Sequence, residues 1–185
     1  MLERNQGSLT NNTVIAALAR VKTLSIVRQL DSNDKSGQLT PSQNPLDLST
    51  ADLNNMNSSI SELPMHQLFL AGAHLRFSSF AARDLTAANF QGAYLIEAQF
   101  GQAILTNSTF SIAILAIANF LKAYLKNSDF SRATITEADF SQTNIDYADF
   151  SQCYGNLFKC IRCVGVYTSF INAHLPHAIF TNQMC

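Results

Sequence analysis

The chain has 185 residues, and its 12 basic and 13 acidic residues give a formal net charge of −1. This length suits one domain with a modest extension, and the near-zero charge argues against a nucleic-acid partner, which is recognised through its phosphates. No apolar run reaches the roughly 18–20 residues that a membrane-spanning helix needs. The composition therefore predicts a cytoplasmic protein that binds neither nucleic acid nor membrane.

The first predicted element is an α-helix over residues 12–30. Asn12 and Thr13 can cap its start. Its apolar residues recur at three- and four-residue spacing and are Val14, Leu18, Val21 and Leu24. A turn-rich segment begins at Asp31, so residues 1–45 are predicted to be a helix followed by a polar linker. We expect the helix to cover the N-terminal end or one side of the domain that follows.

Residues 46–185 are predicted to form a solenoid with a five-residue period. From Leu75 to Phe180, 22 positions spaced by five hold Phe, Leu or Ile with three exceptions, and a small residue stands two positions earlier in 20 of the 22 units. The exceptions are Gly155, Cys160 and Gly165. On a helix or a continuous strand, large residues at this spacing would fall on different faces. Each unit must therefore contain an extended side and a turn, with the large and the small residue facing one interior.

The alternation of Phe with Leu or Ile predicts the number of sides. A period of ten fits a four-sided coil of 20 residues, with Phe on two opposite sides. One column would hold Phe90, Phe110, Phe130, Phe150 and Phe170, and the facing column Phe80, Phe100, Phe120, Phe140 and Phe180, with Cys160 in place of one Phe. The array is regular over residues 71–180 apart from a degenerate coil, 151–170, which has the length of one whole coil, so the register should survive it. The first coil, from residue 46, is irregular, with a two-residue insertion between Leu53 and Ile60.

Several units resemble those of the pentapeptide-repeat family, whose pattern is a small residue, Asp or Asn, Leu or Phe, and two variable residues. The units that carry the resemblance are Ala88–Gly92, Ala118–Lys122, Ala138–Gln142 and Ala148–Gln152. The resemblance implies an all-β solenoid, a right-handed quadrilateral β-helix with the large residue at the centre of each side.

Four cysteines, Cys153, Cys160, Cys163 and Cys185, raise the question of a metal or redox site, because Cys160 and Cys163 form a C-x-x-C motif. The register favours core packing instead, since all four fall at inward positions, where a free Cys behaves as a small hydrophobe. A disulfide or a metal site at Cys153, Cys160 and Cys163 is the alternative, expected mainly if residues 153–165 leave the coil as a loop.

The sequence offers no set of catalytic residues. His174 and His177 fall at outward positions and are read as surface residues, and the Asp residues that precede Phe are required by the repeat itself. No nucleophile with a base, phosphate-binding loop or paired carboxylates emerges. We therefore expect a protein that is not an enzyme and has no cofactor.

One group of apolar residues faces outward in the predicted register. Ile112, Ile114 and Ile117 are expected to be exposed, with Tyr94 and Ile96 one coil earlier on the same side. Contiguous exposed apolar surface usually marks a contact. The N-terminal helix, a partner protein or a second copy of the chain could cover these residues.

The favoured functional hypothesis is a non-enzymatic scaffold or interaction module with an unknown protein partner or a self-contact. The family resemblance suggests a second hypothesis, a DNA mimic that inhibits an enzyme such as gyrase. Mimicry requires a strongly negative surface, whereas the repeat region carries seven basic and seven acidic residues. A metal or redox element at the cysteines is the third hypothesis.

Overall fold

The structure is a computed structural model that describes residues 53–54, 65 and 67–181. In this part of the chain the backbone winds into coils of 20 residues, which confirms the predicted period. Residues that pair between neighbouring coils are 20 positions apart and parallel, from Phe69 with Asn89 to Tyr154 with His174. The predicted helix over residues 12–30 lies outside the described residues and stays a prediction.

Each side of a coil is a short extended stretch followed by a β-turn. On the side centred on Phe110, the backbone N–H of Phe110 donates to the carbonyl of Asp129 in the next coil (2.6 Å), and the N–H of Ile112 donates to Ser131 (3.0 Å). The turn closes when the N–H of Ala113 donates to the carbonyl of Phe110 (3.0 Å). Hydrogen bonds between coils thus satisfy backbone groups that a five-residue unit cannot satisfy by itself.

The second turn position has a positive φ in every described unit from Gln67 to His177, with values between +55° at Ile112 and +67° at Gly72. Positive φ at this position is the geometry of a type II turn, which usually selects Gly or Asn. Only Gly72 and Gly92 are glycines among these positions, so most units hold an ordinary L-residue in the disfavoured left-handed region.

The interior confirms the two predicted Phe columns. The rings of Phe90 and Phe110 stack with centroids 4.8 Å apart and planes 4° apart, and Phe80 and Phe100 stack at 5.1 Å in the facing column. The two columns meet edge to face, as between Phe100 and Phe110 (5.5 Å, 88°). Burial of each such ring stabilises the fold by about 1.5–3 kcal/mol.

The degenerate coil stays in the solenoid. Coil-to-coil pairing continues through it, between Asn144 and Val164 and between Asp149 and Ser169. The two strands of the structure, β1 (Lys159–Ile161) and β2 (Ile179–Thr181), pair in parallel at this end of the rod.

Phe158 corrects one detail of the predicted columns. Cys160 is buried at the central position, but the ring at this level is that of Phe158, which occupies the position of a small residue. Phe158 contacts Phe140 (centroids 5.2 Å) and Phe180 (5.6 Å). Large and small residues have therefore exchanged places on this side.

The first described contact agrees with the predicted insertion. In regular coils a central residue donates to the carbonyl 19 positions later, as Leu75 does to Tyr94. The N–H of Leu53 donates to the carbonyl of His74, 21 positions later (2.8 Å), and Leu53 is buried. Leu53 thus takes the central position two residues early.

Candidate interaction surface

On each side of a coil, one outward residue comes immediately before the central residue. Over successive coils these residues form four rows along the rod, and each row defines a face. The two faces outside the Phe columns are mostly polar, with one apolar residue at an end of each. The Asn89 face consists of Phe69, Asn89, Thr109, Asp129, Asp149 and Ser169, and the Asn119 face of Ser79, Gln99, Asn119, Asp139, Lys159 and Ile179. The two faces outside the aliphatic columns are partly apolar. The Tyr94 face consists of His74, Tyr94, Ile114, Thr134, Tyr154 and His174, and the Tyr124 face of Asp84, Ile104, Tyr124, Asn144 and Val164.

On the polar faces the outward side chains are used to build the turns. The Asp129 carboxylate accepts a hydrogen bond from the N–H of Ser131, and Asp139 accepts one from Ser141, both at 2.8 Å. The same bond recurs at Asn89, Asn119 and Asp149. An Asx side chain that bonds the backbone two residues later stabilises a turn. These carboxylates therefore have a structural role.

The Tyr94 face contains the residues that the sequence singled out. Tyr94 pairs with Ile114 of the next coil, and Ile112 (46 % exposed) and Ile117 (49 %) lie at its two edges. Ile114 and Ile96 are half-buried and therefore less exposed than expected. The expectation that Ile114 is exposed is thus wrong in degree.

Both edge isoleucines hold a backbone conformation that is unfavourable for a β-branched residue. The φ angle is +55° at Ile112 and +60° at Ile117. The Ile112 side chain leans over the previous coil, where its Cδ1 lies 3.8 Å from the place that a Cβ on Gly92 would take. The fold itself does not require isoleucine at either position, since many different residues occupy the equivalent corners.

A second partly apolar face, the Tyr124 face, was missed by the sequence analysis. Tyr124 is 58 % exposed and Ile104 is 42 % exposed. At its edge the exposed rings of Tyr147 and Tyr167 stack with centroids 5.3 Å apart. These residues are separated by 20 positions, so no local run reveals them. Writing the sequence in rows of 20 residues would have placed them in the same columns and revealed this face.

Cys153, Cys160 and Cys163 lie in the core, and two of them are joined; Cys185 lies outside the described residues. Cys160 and Cys163 form a disulfide with their Cα atoms 5.5 Å apart, and both are buried. The expectation that a disulfide would need residues 153–165 to leave the coil is wrong, because the bond spans a turn inside it. Within the described part of the chain, no group of three His, Cys, Asp or Glu residues could hold a metal ion.

Cys153 is a buried free thiol whose Sγ donates to the carbonyl of Phe130 (2.9 Å). Burial raises the pKa of this thiol to about 12, and the charges of Asp149 and Asp129 add to the increase, although a backbone hydrogen bond at Ala133 opposes it. A thiol with this pKa is protonated at neutral pH and is a poor nucleophile or metal ligand.

His174 and His177 are exposed, as the register predicts. The His174 ring stacks on Tyr154 with centroids 5.5 Å apart. Among the described residues, no helix is long and apolar enough to cross a membrane.

The family model for pentapeptide repeats matches residues 84–120 and 118–154, with eight copies of the repeat. This match implies that the coil is right-handed. No curated protein matches the sequence.

Solved structures of pentapeptide-repeat proteins are among those similar to this chain. A protein of the Arabidopsis thaliana thylakoid lumen is 28 % identical, with a TM-score of 0.40, and the match covers 57 % of this chain and 70 % of that one. A trypsin-treated variant of QnrB1, a plasmid-mediated fluoroquinolone resistance protein, is 20 % identical, with a TM-score of 0.37 and coverages of 73 % and 70 %. With TM-scores below 0.5, these neighbours indicate neither the function nor the partner of this chain.

Proposed function

We propose, from the premise that this chain is a pentapeptide-repeat protein, that it is a non-enzymatic cytoplasmic module that binds another protein or a second copy of itself. Proteins built from this repeat generally serve as structural or interaction modules. The rigid core of stacked rings makes the rod a fixed platform, and its surface chemistry is carried by residues that the core does not constrain.

The observation that carries the proposal is the partition of the surface. Two faces are mostly polar and their Asn and Asp side chains are engaged in turns, whereas the Tyr94 and Tyr124 faces present several large apolar residues to solvent. The strain at Ile112 and Ile117 adds to this argument. Two β-branched residues at positive φ are unfavourable both for the backbone and for solubility. A contact made by these side chains would account for their presence.

The proposal is tested with two matched substitutions at outward positions. Ile114→Asp introduces a charge on the Tyr94 face, and Thr109→Asp introduces one on the Asn89 face, where Asp already occupies equivalent positions. Both sites are half-buried, and circular dichroism melting of each variant confirms that it is folded before association is compared. Co-purification of partners from the native cell and light scattering of the purified chain measure association.

We expect Ile114→Asp to reduce partner capture or self-association and Thr109→Asp to leave both unchanged. A chain that is strictly monomeric, and whose captured proteins are the same for both variants, would contradict an interaction through the Tyr94 face.

A further inference from the structure

We infer that the Tyr124 face binds an extended acidic segment of a partner protein that also carries apolar side chains. The inference rests on the proposed interaction function and names the partner chemistry for the second apolar face.

Positively charged side chains flank the Tyr124 face. Lys122 and Arg162 lie along one edge, and Lys126 lies at the other edge with its Nζ 5.9 Å from the centre of the Tyr147 ring. All three cations are exposed. The acid beside them, Asp146, already accepts hydrogen bonds from the N–H of Val166 (2.9 Å) and from Asn144 Nδ2 (3.2 Å).

The two acids of this face, Asp84 and Asp146, are outnumbered by its three exposed cations. Asp84, at the N-terminal end of the same row, accepts hydrogen bonds from the N–H and the hydroxyl of Thr86 (3.0 and 2.7 Å), with Arg83 beside it in sequence. The edges of the Tyr94 face are balanced by comparison. They carry Arg76 and Arg132 together with Glu97 and Glu137. The Tyr124 face therefore carries an excess of positive charge that the Tyr94 face lacks.

The Tyr124 face also contains a groove. The short Asn144 side chain lies one coil after Tyr124 and one coil before Val164. These three residues line an open groove of about 340 Å³, with Lys122 and Gln142 also lining it. A partner side chain placed there would contact the Tyr124 ring and Val164, while a carboxylate next to it could reach Lys122. The groove thus combines apolar walls with a cation at one side.

The shape of the face favours an extended segment. The outward residues form a straight row along the rod, with successive coils about 4.8 Å apart. The described coils together are about 26 Å long on this spacing, which about eight residues of extended chain would span at roughly 3.3 Å each. Phosphate recognition is less suited to this face, because the affinity for nucleic acid comes mainly from the number of phosphates neutralised, and only three cations flank the groove.

The probe is the synthetic random copolymer of glutamate and tyrosine (4:1), fluorescently labelled and titrated with the full chain while anisotropy is recorded. The comparison probes are polyglutamate, a lysine–tyrosine copolymer and a single-stranded oligonucleotide. We expect the glutamate–tyrosine copolymer to bind most tightly, and its affinity to fall as salt is raised.

Two double variants with the same change of charge locate the site. Lys122→Glu with Arg162→Glu should weaken copolymer binding at least tenfold. Arg76→Glu with Arg132→Glu, at the edges of the Tyr94 face, should change it less than twofold. Tyr124→Ala should weaken binding severalfold without any change in charge. Circular dichroism melting confirms that each variant is folded.

Equal losses in the two double variants would overturn the inference, since the attraction would then depend only on total charge. Tighter binding of polyglutamate would remove the role of the apolar groove, and tighter binding of the oligonucleotide would indicate a nucleic-acid partner. If the copolymer fails to bind while association still depends on Ile114, the inference is wrong and the proposed function stands. If association is also independent of Ile114, the proposed function loses its own support separately.

Discussion

The regular coils of residues 71–150 and the degenerate coil of residues 151–170 reach the same geometry by different means. In the regular coils a small residue, a large residue and a turn hydrogen bond recur on each side. In the degenerate coil the large Phe158 occupies a small-residue position and the small Cys160 occupies a central position. Gly155 and Gly165 stand where leucine or isoleucine is expected. Pairing with the neighbouring coils is nevertheless unbroken.

The degenerate coil fills its interior with other groups. A Cβ built on Gly155 would lie 2.8 Å from the carbonyl carbon of Ile135, so the backbone itself has moved into the space of the missing side chain. A Cβ on Gly165 would lie 2.7 Å from Cγ1 of Ile145. The fold therefore requires a filled interior and a 20-residue circuit, and the five-residue motif is one way to provide them.

The largest effect is expected in the regular region. Phe110→Ala removes a ring stacked on both neighbours of its column and should lower the free energy of unfolding by about 3–5 kcal/mol. Thr106→Ala, at a partly exposed turn position of the preceding side, should change it by less than about 0.5 kcal/mol. Urea denaturation measures both, and equal effects would contradict the assigned register.

The sequence predicts the regular region well and the degenerate coil less well. The positions of Phe90 and Phe110 follow from the period alone, because a side chain that recurs once per circuit must stack on itself. The roles of Phe158 and of the Cys160–Cys163 bond do not follow, since they depend on volumes and distances that no local pattern encodes.

The surface is predicted only in part, for a related reason. Ile112, Ile114 and Ile117 are close in sequence and were found. Ile104, Tyr124 and Val164 come together only through the 20-residue circuit and were missed. The positive φ of the turn residues is also invisible in the sequence, because few of these positions are Gly or Asn.

A pH-dependent effect is expected at Cys153, where the degenerate coil has a thiol in a position usually occupied by Ala. Its pKa is about 12 in the fold and 9.0 ordinarily, so the folded state holds the proton more tightly. The thiol's contribution to stability is present below pH 9 and is lost as the pH rises towards 12, by about 4 kcal/mol in total. Cys153→Ala abolishes this dependence while keeping a small side chain.

Urea denaturation of wild type and Cys153→Ala at pH 8 and pH 10.5 isolates the contribution of this thiol, because every other ionisable side chain is present in both proteins. Wild type should lose about 2 kcal/mol relative to the variant between these two pH values. An unchanged difference would contradict a buried thiol with a raised pKa.

A matched pair of glycine substitutions tests whether the backbone fills the interior at Gly155. Gly155→Ala places a Cβ against backbone atoms of Ile135 and Thr136 at 2.8 and 2.9 Å and should destabilise the fold by about 1–3 kcal/mol. Gly101→Ala in the regular region meets its nearest neighbour, the Leu121 carbonyl oxygen, at 3.7 Å. We expect it to be tolerated, and thermal melting of the two variants should separate them by several degrees.

An effect of similar size is expected from the disulfide. In the regular coils the N–H three residues after a central residue bonds to its carbonyl, as Ala113 does to Phe110. The Cys160–Cys163 bond joins the same two positions covalently. Closing so short a loop restricts the unfolded chain only modestly, by roughly 2 kcal/mol on the chain-entropy model.

Cys163→Ala separates this contribution from packing, because Ala is the usual occupant of the position. Its melting temperature should equal that of the reduced wild type and should not respond to dithiothreitol, whereas the oxidised wild type should melt several degrees higher. Thiol labelling in denaturant verifies the redox state, because the oxidised wild type should react at two cysteines fewer than the reduced wild type. If reduction leaves the wild-type melting temperature unchanged, the degenerate coil is held by pairing and burial alone.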